Sequence, residues 1–212
     1  MMLKQTLLAT AIVLAPMAAL AGGSVDVFYT DNNVDIEAFA AEADGNGYGI
    51  RGQAELGKGF SMIALHQTSK VKPLFGGGKS DVSETRIGLS YKHQLNKQTH
   101  LTGTLEKVQA DVEFVNNGGT GLTLNGYAGN VGINVAVAKK LNAYASVGYV
   151  NLGKINNETL DGYEYTGGLS YDICKHWSGF AEYRVVKMET DAVGPSTDVD
   201  NDTLRVGGRY TF

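Results

Sequence analysis

Residues 48–56 read YGIRGQAEL, and the fold turns on their alternation. Tyr48, Ile50, Gly52, Ala54 and Leu56 form one apolar set, and Gly49, Arg51, Gln53 and Glu55 form a polar one. A helix would mix these sets around its circumference. A strand separates them, because successive side chains point to opposite faces. The same period returns in Thr85, Ile87, Leu89 and Tyr91 against Glu84, Arg86, Ser90 and Lys92. It returns again in Tyr163, Tyr165, Leu169, Tyr171 and Ile173 against Glu164, Thr166, Ser170 and Asp172. At the C-terminus Leu204, Val206, Gly208, Tyr210 and Phe212 alternate with Thr203, Arg205, Gly207, Arg209 and Thr211.

Ten segments carry this signal, near residues 24–31, 46–57, 59–70, 82–94, 99–113, 126–139, 142–152, 161–174, 177–188 and 202–212. Within 60–67 two sets compete for the apolar face, Phe60, Met62 and Ala64 against Ile63 and Leu65. The connections alternate in length. Short ones fall at 57–59, 95–99, 139–142 and 174–176, and long ones at 31–45, 70–81, 115–125, 152–161 and 189–201. That asymmetry fits an up-and-down antiparallel barrel with brief turns on one side of a membrane and long loops on the other. Pro73 and Pro195 both land in long connections, as expected of a closed ladder that needs every backbone donor.

The first 21 residues predict export. Lys4 precedes an apolar run from Leu7 to Leu20, and Ala19-Leu20-Ala21 makes a small-x-small cleavage site before Gly22. The run, about 14 residues broken by Pro16, is short of the ~20 a spanning helix needs. The expected division is a cleaved signal peptide at 1–21 and an outer-membrane β-barrel at 22–212, in the bacterial outer membrane. Formal net charge is −4, which argues against nucleic acid as a partner. The single cysteine, Cys174, rules out a disulfide scaffold and is expected to stay a free thiol.

Tyrosines separate a membrane barrel from a soluble sandwich. Tyr29, Tyr48, Tyr127, Tyr149, Tyr163 and Tyr165 lie on apolar faces toward the long connections, and Tyr91, Tyr171, Trp177, Tyr210 and Phe212 toward the short turns. Two aromatic girdles at two membrane interfaces are the reading. The polar faces would then be enclosed. They bring together Asp26, Glu55, Glu84, Glu106, Glu164 and Glu182 with Arg51, Arg86, Lys92, Arg184, Arg205 and Arg209. Unpartnered charge in a narrow lumen is costly, so a paired, closed interior is favoured. Inward Gly49, Gly88, Gly132, Gly148, Gly168 and Gly207, with Ser90, Ser146 and Ser170, support a second reading, a narrow water-filled pore.

Leu204, Val206, Gly208 and Tyr210, spaced by two before the terminal Phe212, resemble the assembly signal that outer-membrane proteins present to the barrel-assembly machinery. The whole chain after residue 21 resembles the small outer-membrane barrels: OmpA-type transmembrane domains, OmpX-type and opacity-type proteins. Those typically have eight strands, so ten is a departure and eight the alternative. The resemblance implies outer-membrane lipids and lipopolysaccharide as surroundings and an envelope-structural or surface-interaction role, with a narrow porin-like channel as the alternative.

An outer-membrane enzyme acting on lipid or peptide is the third class. Outer-membrane deacylases place a His and a Ser together on a lipid-facing strand, but His66 and Ser69 are three apart and point to opposite faces. No catalytic, cofactor-binding or metal residues are assigned, and no cofactor is expected. Asp198, Asp200 and Asp202 lack the glycine and the final acid of an EF-hand loop. The short turns hold Lys58, Lys97, Lys139, Lys140 and Lys175, positioned for anionic headgroups, while the long connections are net acidic.

Overall fold

A computed structural model describes residues 22–36, 41–72, 80–114, 121–155, 157–190 and 197–212. The expected signal peptide, Pro73 and Pro195 lie outside the described residues. Alternation becomes ten strands: β1 (Gly23–Ile36), β2 (Ala41–Gly57), β3 (Phe60–Val71), β4 (Ser80–Gln94), β5 (Thr99–Phe114), β6 (Gly121–Ala138), β7 (Leu141–Ile155), β8 (Glu158–Asp172), β9 (Trp177–Thr190) and β10 (Thr197–Thr211). Each pairs antiparallel with its neighbours in sequence, and β1 pairs with β10 to close the barrel.

The register fixes how steeply the strands run. From Tyr29 the paired positions lead one way through Tyr48, Thr68, Ser83 and Asp111 to Thr123 of β6. The other way they lead through Val206, Ala181, Leu169 and Ala143 to Val135 of the same strand. The circuit is therefore staggered by 12 residues, from Thr123 to Val135. With ~3.3 Å per residue and ~4.8 Å between strands, that stagger over ten strands tilts them about 40°, a usual value for a membrane barrel.

The turns at the N-terminal end of β1 are tight. Lys58 and Gly59, joining β2 to β3, both take positive φ (54° and 84°), which a two-residue hairpin of the favoured hand requires. At the opposite end the strands run further than the alternation predicts. β1 continues to Ile36, β2 begins at Ala41, β6 at Gly121, β7 ends at Ile155, β8 begins at Glu158 and β10 at Thr197. Much of the sequence assigned to long loops is thus strand. The reason is a change of phase. Near the membrane apolar residues face out, but beyond the upper tyrosines Leu124, Leu160, Met188 and Val199 face in while Asp31, Asp161, Asp200 and Asp202 face out. There the barrel wall is solvated, as in a water-soluble protein, and a strand reading tuned to a lipid face loses it.

Strand β3 settles its own ambiguity. Phe60, Met62 and Ala64 face outward, while Leu65 is buried in the lumen with Phe28 and Phe180. The outward wall carries a continuous apolar belt that includes Val27, Leu89, Leu105, Val131, Val147, Leu169 and Val206. Leu105, 74% exposed, stands within this belt, and a contiguous apolar surface of that extent marks a lipid-facing wall.

Candidate functional site

The lumen is where side-chain chemistry concentrates. Its middle layer begins at Asp26 on β1, which accepts from Arg51 Nε at 2.8 Å and from Arg209 Nε at 2.7 Å. Arg51 also donates to Glu182 at 3.2 Å, and Glu182 accepts from Arg205 at 2.7 Å and from the Tyr144 hydroxyl at 3.0 Å. Arg205 Nε donates to Gln67 at 3.1 Å, and Gln67 Nε2 donates to Glu84 at 2.9 Å. Glu84 joins Arg86 and Arg184. Both guanidiniums then converge on Glu164, Arg86 through 2.9 and 3.0 Å bonds and Arg184 through 2.6 and 3.1 Å bonds. Arg86 further donates to Glu106 at 3.3 Å.

Five arginines and five carboxylates therefore form one connected, electrically balanced network through the middle of the barrel. Desolvation of so many charges is tolerated because each is paired and all but Glu106 make more than one charge-assisted hydrogen bond. Of the twelve charges expected in the lumen, Glu55 and Lys92 fall outside this network. Both lie near the turns at the mouth of the barrel and are exposed. Water there can solvate them; both face the lower cavity as expected, and the correction concerns their place in the paired network alone.

Aromatic rings complete the layer. Phe28 and Phe180 meet edge-to-face at 6.3 Å. Arg51 and Arg209 lie over Phe180 at 5.4 and 5.8 Å, and Arg205 over Phe28 at 5.5 Å. Phe28 pairs in register with Gly49 and Gly207, and a Cβ at either glycine would collide with it. Likewise a Cβ on Gly168 would strike the Tyr144 ring. These inward glycines make room for side chains rather than for a water column.

Above the network, toward the longer strand ends, Val108, Leu124, Ala128, Val150, Leu160, Val186 and Met188 pack as an apolar cluster. Across from it Asn32 donates to Ser69 at 2.7 Å and accepts from Thr203 at 2.9 Å. A chamber of about 90 Å³ lies on this side. Below the network a cavity of about 560 Å³ opens at the short-turn end, walled by hydroxyls and amides such as Thr102, Asn130, Asn134, Ser146 and Ser170.

On the outside, Tyr29 and Tyr48 pair edge-to-face at 5.8 Å and Tyr149 and Tyr163 at 6.1 Å. Tyr127 and Tyr165 are exposed at the same end of the belt. At the other end Phe60 meets Tyr91 at 4.8 Å, Trp177 meets Tyr210 at 5.1 Å and Tyr210 meets Phe212 at 6.5 Å, with Tyr171 exposed alongside. Leu204, Val206, Gly208 and Tyr210 line the outer face of β10, the closing strand beside β1.

The histidines are scattered. His66 faces out and shares a 2.9 Å hydrogen bond with Thr85, while His93 stacks on Tyr91 at 6.5 Å. His100 lines the lower cavity, and His176 lies 2.8 Å from the Thr211 carbonyl. Cys174 is free and exposed. No group of three metal-ligating side chains occurs among the described residues.

A closed barrel with an apolar belt and a polar interior agrees with a match to the family described as outer membrane protein beta-barrel domain, over residues 6–212. The chain belongs to that family. As a barrel of this family it resides in the bacterial outer membrane. Its fold is similar to that of the outer membrane protease OmpT from Escherichia coli: 9% identity, 91% of this chain and 97% of that chain, TM-score 0.54. It is also similar to the translocator domain of the autotransporter NalP from Neisseria meningitidis: 12% identity, 96% and 95%, TM-score 0.51. Ail, the attachment invasion locus protein of Yersinia pestis, matches at 14% identity over 91% and 99%, TM-score 0.44. No curated protein matches the chain. At these identities the likeness is one of fold.

Among the lumen residues that escaped the sequence reading are Gln67, Tyr144, Phe28 and Phe180. Phase was the available signal, since each alternates in step with a charged or small inward residue of its own strand.

Proposed function

We propose that this outer-membrane barrel is a non-enzymatic envelope protein whose lumen is closed, and whose role is structural or lies in surface interaction. The observation that carries the reading is the balanced network of five arginines and five carboxylates, capped by the apolar cluster. Charges that move ions through a pore must stay hydrated and exchangeable, whereas these are paired to one another and to aromatic rings. Catalysis finds little support: His66 and Ser69 lie on opposite faces of β3, and His93 and His176 face the lower aromatic belt. Lipopolysaccharide around the upper tyrosines, and the barrel-assembly machinery acting on the β10 terminus, are the partners this reading implies. The upper end of the wall, rich in outward aspartates, is the surface offered to the exterior.

A narrow porin-like channel is the second reading, favoured by one feature. Arg86 and Arg184 line both the 560 Å³ cavity and the 90 Å³ chamber, so the septum between them is thin. Osmotic swelling of liposomes containing the protein separates the two. The closed reading expects solutes of monosaccharide size to enter no faster than into protein-free liposomes. Entry that rises with the amount of protein would favour the channel.

A further inference from the structure

The upper tyrosine ring is interrupted. Tyr29 and Tyr48 supply it on β1 and β2, Tyr127 on β6, Tyr149 on β7, Tyr163 and Tyr165 on β8, and Tyr183 on β9. Three consecutive strands, β3, β4 and β5, have no aromatic on the outward face of their upper halves. Following the tilt of the strands around the barrel, the ring positions there fall at His66, Thr85 and Lys107, with Gln109 above Lys107. The gap spans ~15 Å of circumference at the strand spacing of a sheet.

Lys107 is the cation at the ring positions of this sector, Lys70 lying higher on β3 opposite Asp81. It faces outward between Ile87 and Tyr127, its direct cross-strand neighbours, and two residues above the lipid-exposed Leu105. No ion pair holds its ammonium among the described residues. Thr85 lies diagonally across from it and is tied to His66, and Gln109 stands directly beside Thr85. Asp111 is the nearest acid above, and it is already occupied, accepting from Gln109 at 2.9 Å and from Thr123 at 2.6 Å. A lysine on a lipid-facing wall is tolerable only near the headgroups, where its cost falls to ~0–1 kcal/mol. Its place in the tyrosine ring puts it there.

Resting on the reading above that this end of the barrel meets lipopolysaccharide, we propose that the β3–β5 sector seats the phosphate of an outer-leaflet glycolipid, with Lys107 as its counter-ion and Thr85 and Gln109 as flanking hydrogen-bond groups. The acyl chains would lie below against Leu105, Ile87 and Leu89, which the outward glycines Gly103 and Gly129 leave standing as separate ridges. Tyrosine suits an uncharged interface. A lysine with neighbouring hydrogen-bonding groups suits an anion, and the leaflet that faces this end of the barrel supplies one. A lateral contact with a second copy of the chain is the competing use of the same face.

Detergent-solubilised protein titrated with bis-phosphorylated lipid A, with binding read by native mass spectrometry, tests the proposal. Wild type should bind it about fivefold more tightly than Lys107→Gln, the effect of one basic residue at a charged surface. Lys107→Arg should retain most of that affinity, Lys139→Gln in a short turn should match wild type, and lipid A stripped of its phosphates should bind wild type and Lys107→Gln alike. Equal binding of the phosphorylated lipid to wild type and Lys107→Gln would overturn the proposal. So would a Lys107→Gln protein that changes oligomeric state while its lipid affinity stays unchanged.

Discussion

Replacing Glu164 with Gln keeps the shape of the side chain and removes one charge from the centre of the lumen. Glu164 accepts four hydrogen bonds, two from Arg86 and two from Arg184, and is 3% exposed. A glutamine retains one acceptor oxygen and turns an amide donor toward guanidinium donors, so about half of those bonds are lost and the network carries one unmatched positive charge. Breaking a buried pair by removing one partner costs ~3–5 kcal/mol. Arg86 keeps Glu84 and Glu106 and Arg184 keeps Glu84, so the lower end applies, about 3 kcal/mol. Equilibrium urea unfolding of the barrel in phospholipid vesicles would measure it, with the single Trp177 at the membrane interface as the fluorescent reporter. Glu113→Gln, an outward and exposed position on β5, should stay within ~0.5 kcal/mol. Adding Arg184→Met to Glu164→Gln should cost less than the two single changes combined, because the unmatched charge is then removed. A loss below ~1 kcal/mol for Glu164→Gln would mean that water screens these charges, and the closed lumen would fail with it.

Gly168→Ala should destabilise the barrel by ~1–3 kcal/mol through collision with the Tyr144 ring and the Ala181 carbonyl, and Tyr144→Ala in the same chain should relieve the part due to the ring; unfolding midpoints of the single and double variants check this. In a Cys174→Ser background, a cysteine at Asp44 should react with a membrane-impermeant maleimide on intact cells and one at Asn96 should not, whereas the reverse pattern would invert the topology. Deleting Phe212, or replacing Tyr210 with Asp, should diminish the folded, heat-modifiable form in outer-membrane fractions, and normal insertion of both variants would remove the assembly role from the β10 terminus.

The strands were legible wherever lipid imposes alternation. Tyr48 to Leu56 and Leu204 to Phe212 announce themselves because every second residue must be apolar. Above the tyrosines that demand ends. Val199 turns inward while Asp198 and Asp200 turn outward, so the period persists with its sense reversed, and residues read as loop prove to be strand. The lumen charges were legible by phase, since Asp26, Arg51, Glu84 and Arg86 fall on faces that cannot meet lipid. Their partners were not. Arg51 reaches Glu182 across the lumen, a contact fixed by the 12-residue stagger and by barrel diameter rather than by either strand alone. Leu65 and Phe28 were obscure for a related reason: a closed lumen needs apolar filler, and an apolar residue on each face of a strand erases the contrast that alternation depends on.

Single-channel recording of the wild-type protein in a planar bilayer reaches the closed lumen most directly. With the network intact and the apolar cluster above it, the protein should insert and produce no discrete conductance at moderate voltage and neutral pH, even though the 560 Å³ cavity below stays open to one side. Steady, ion-selective openings from the wild type, abolished by heat-unfolding the same preparation, would contradict a closed lumen and identify the Arg86–Arg184 septum as a passage.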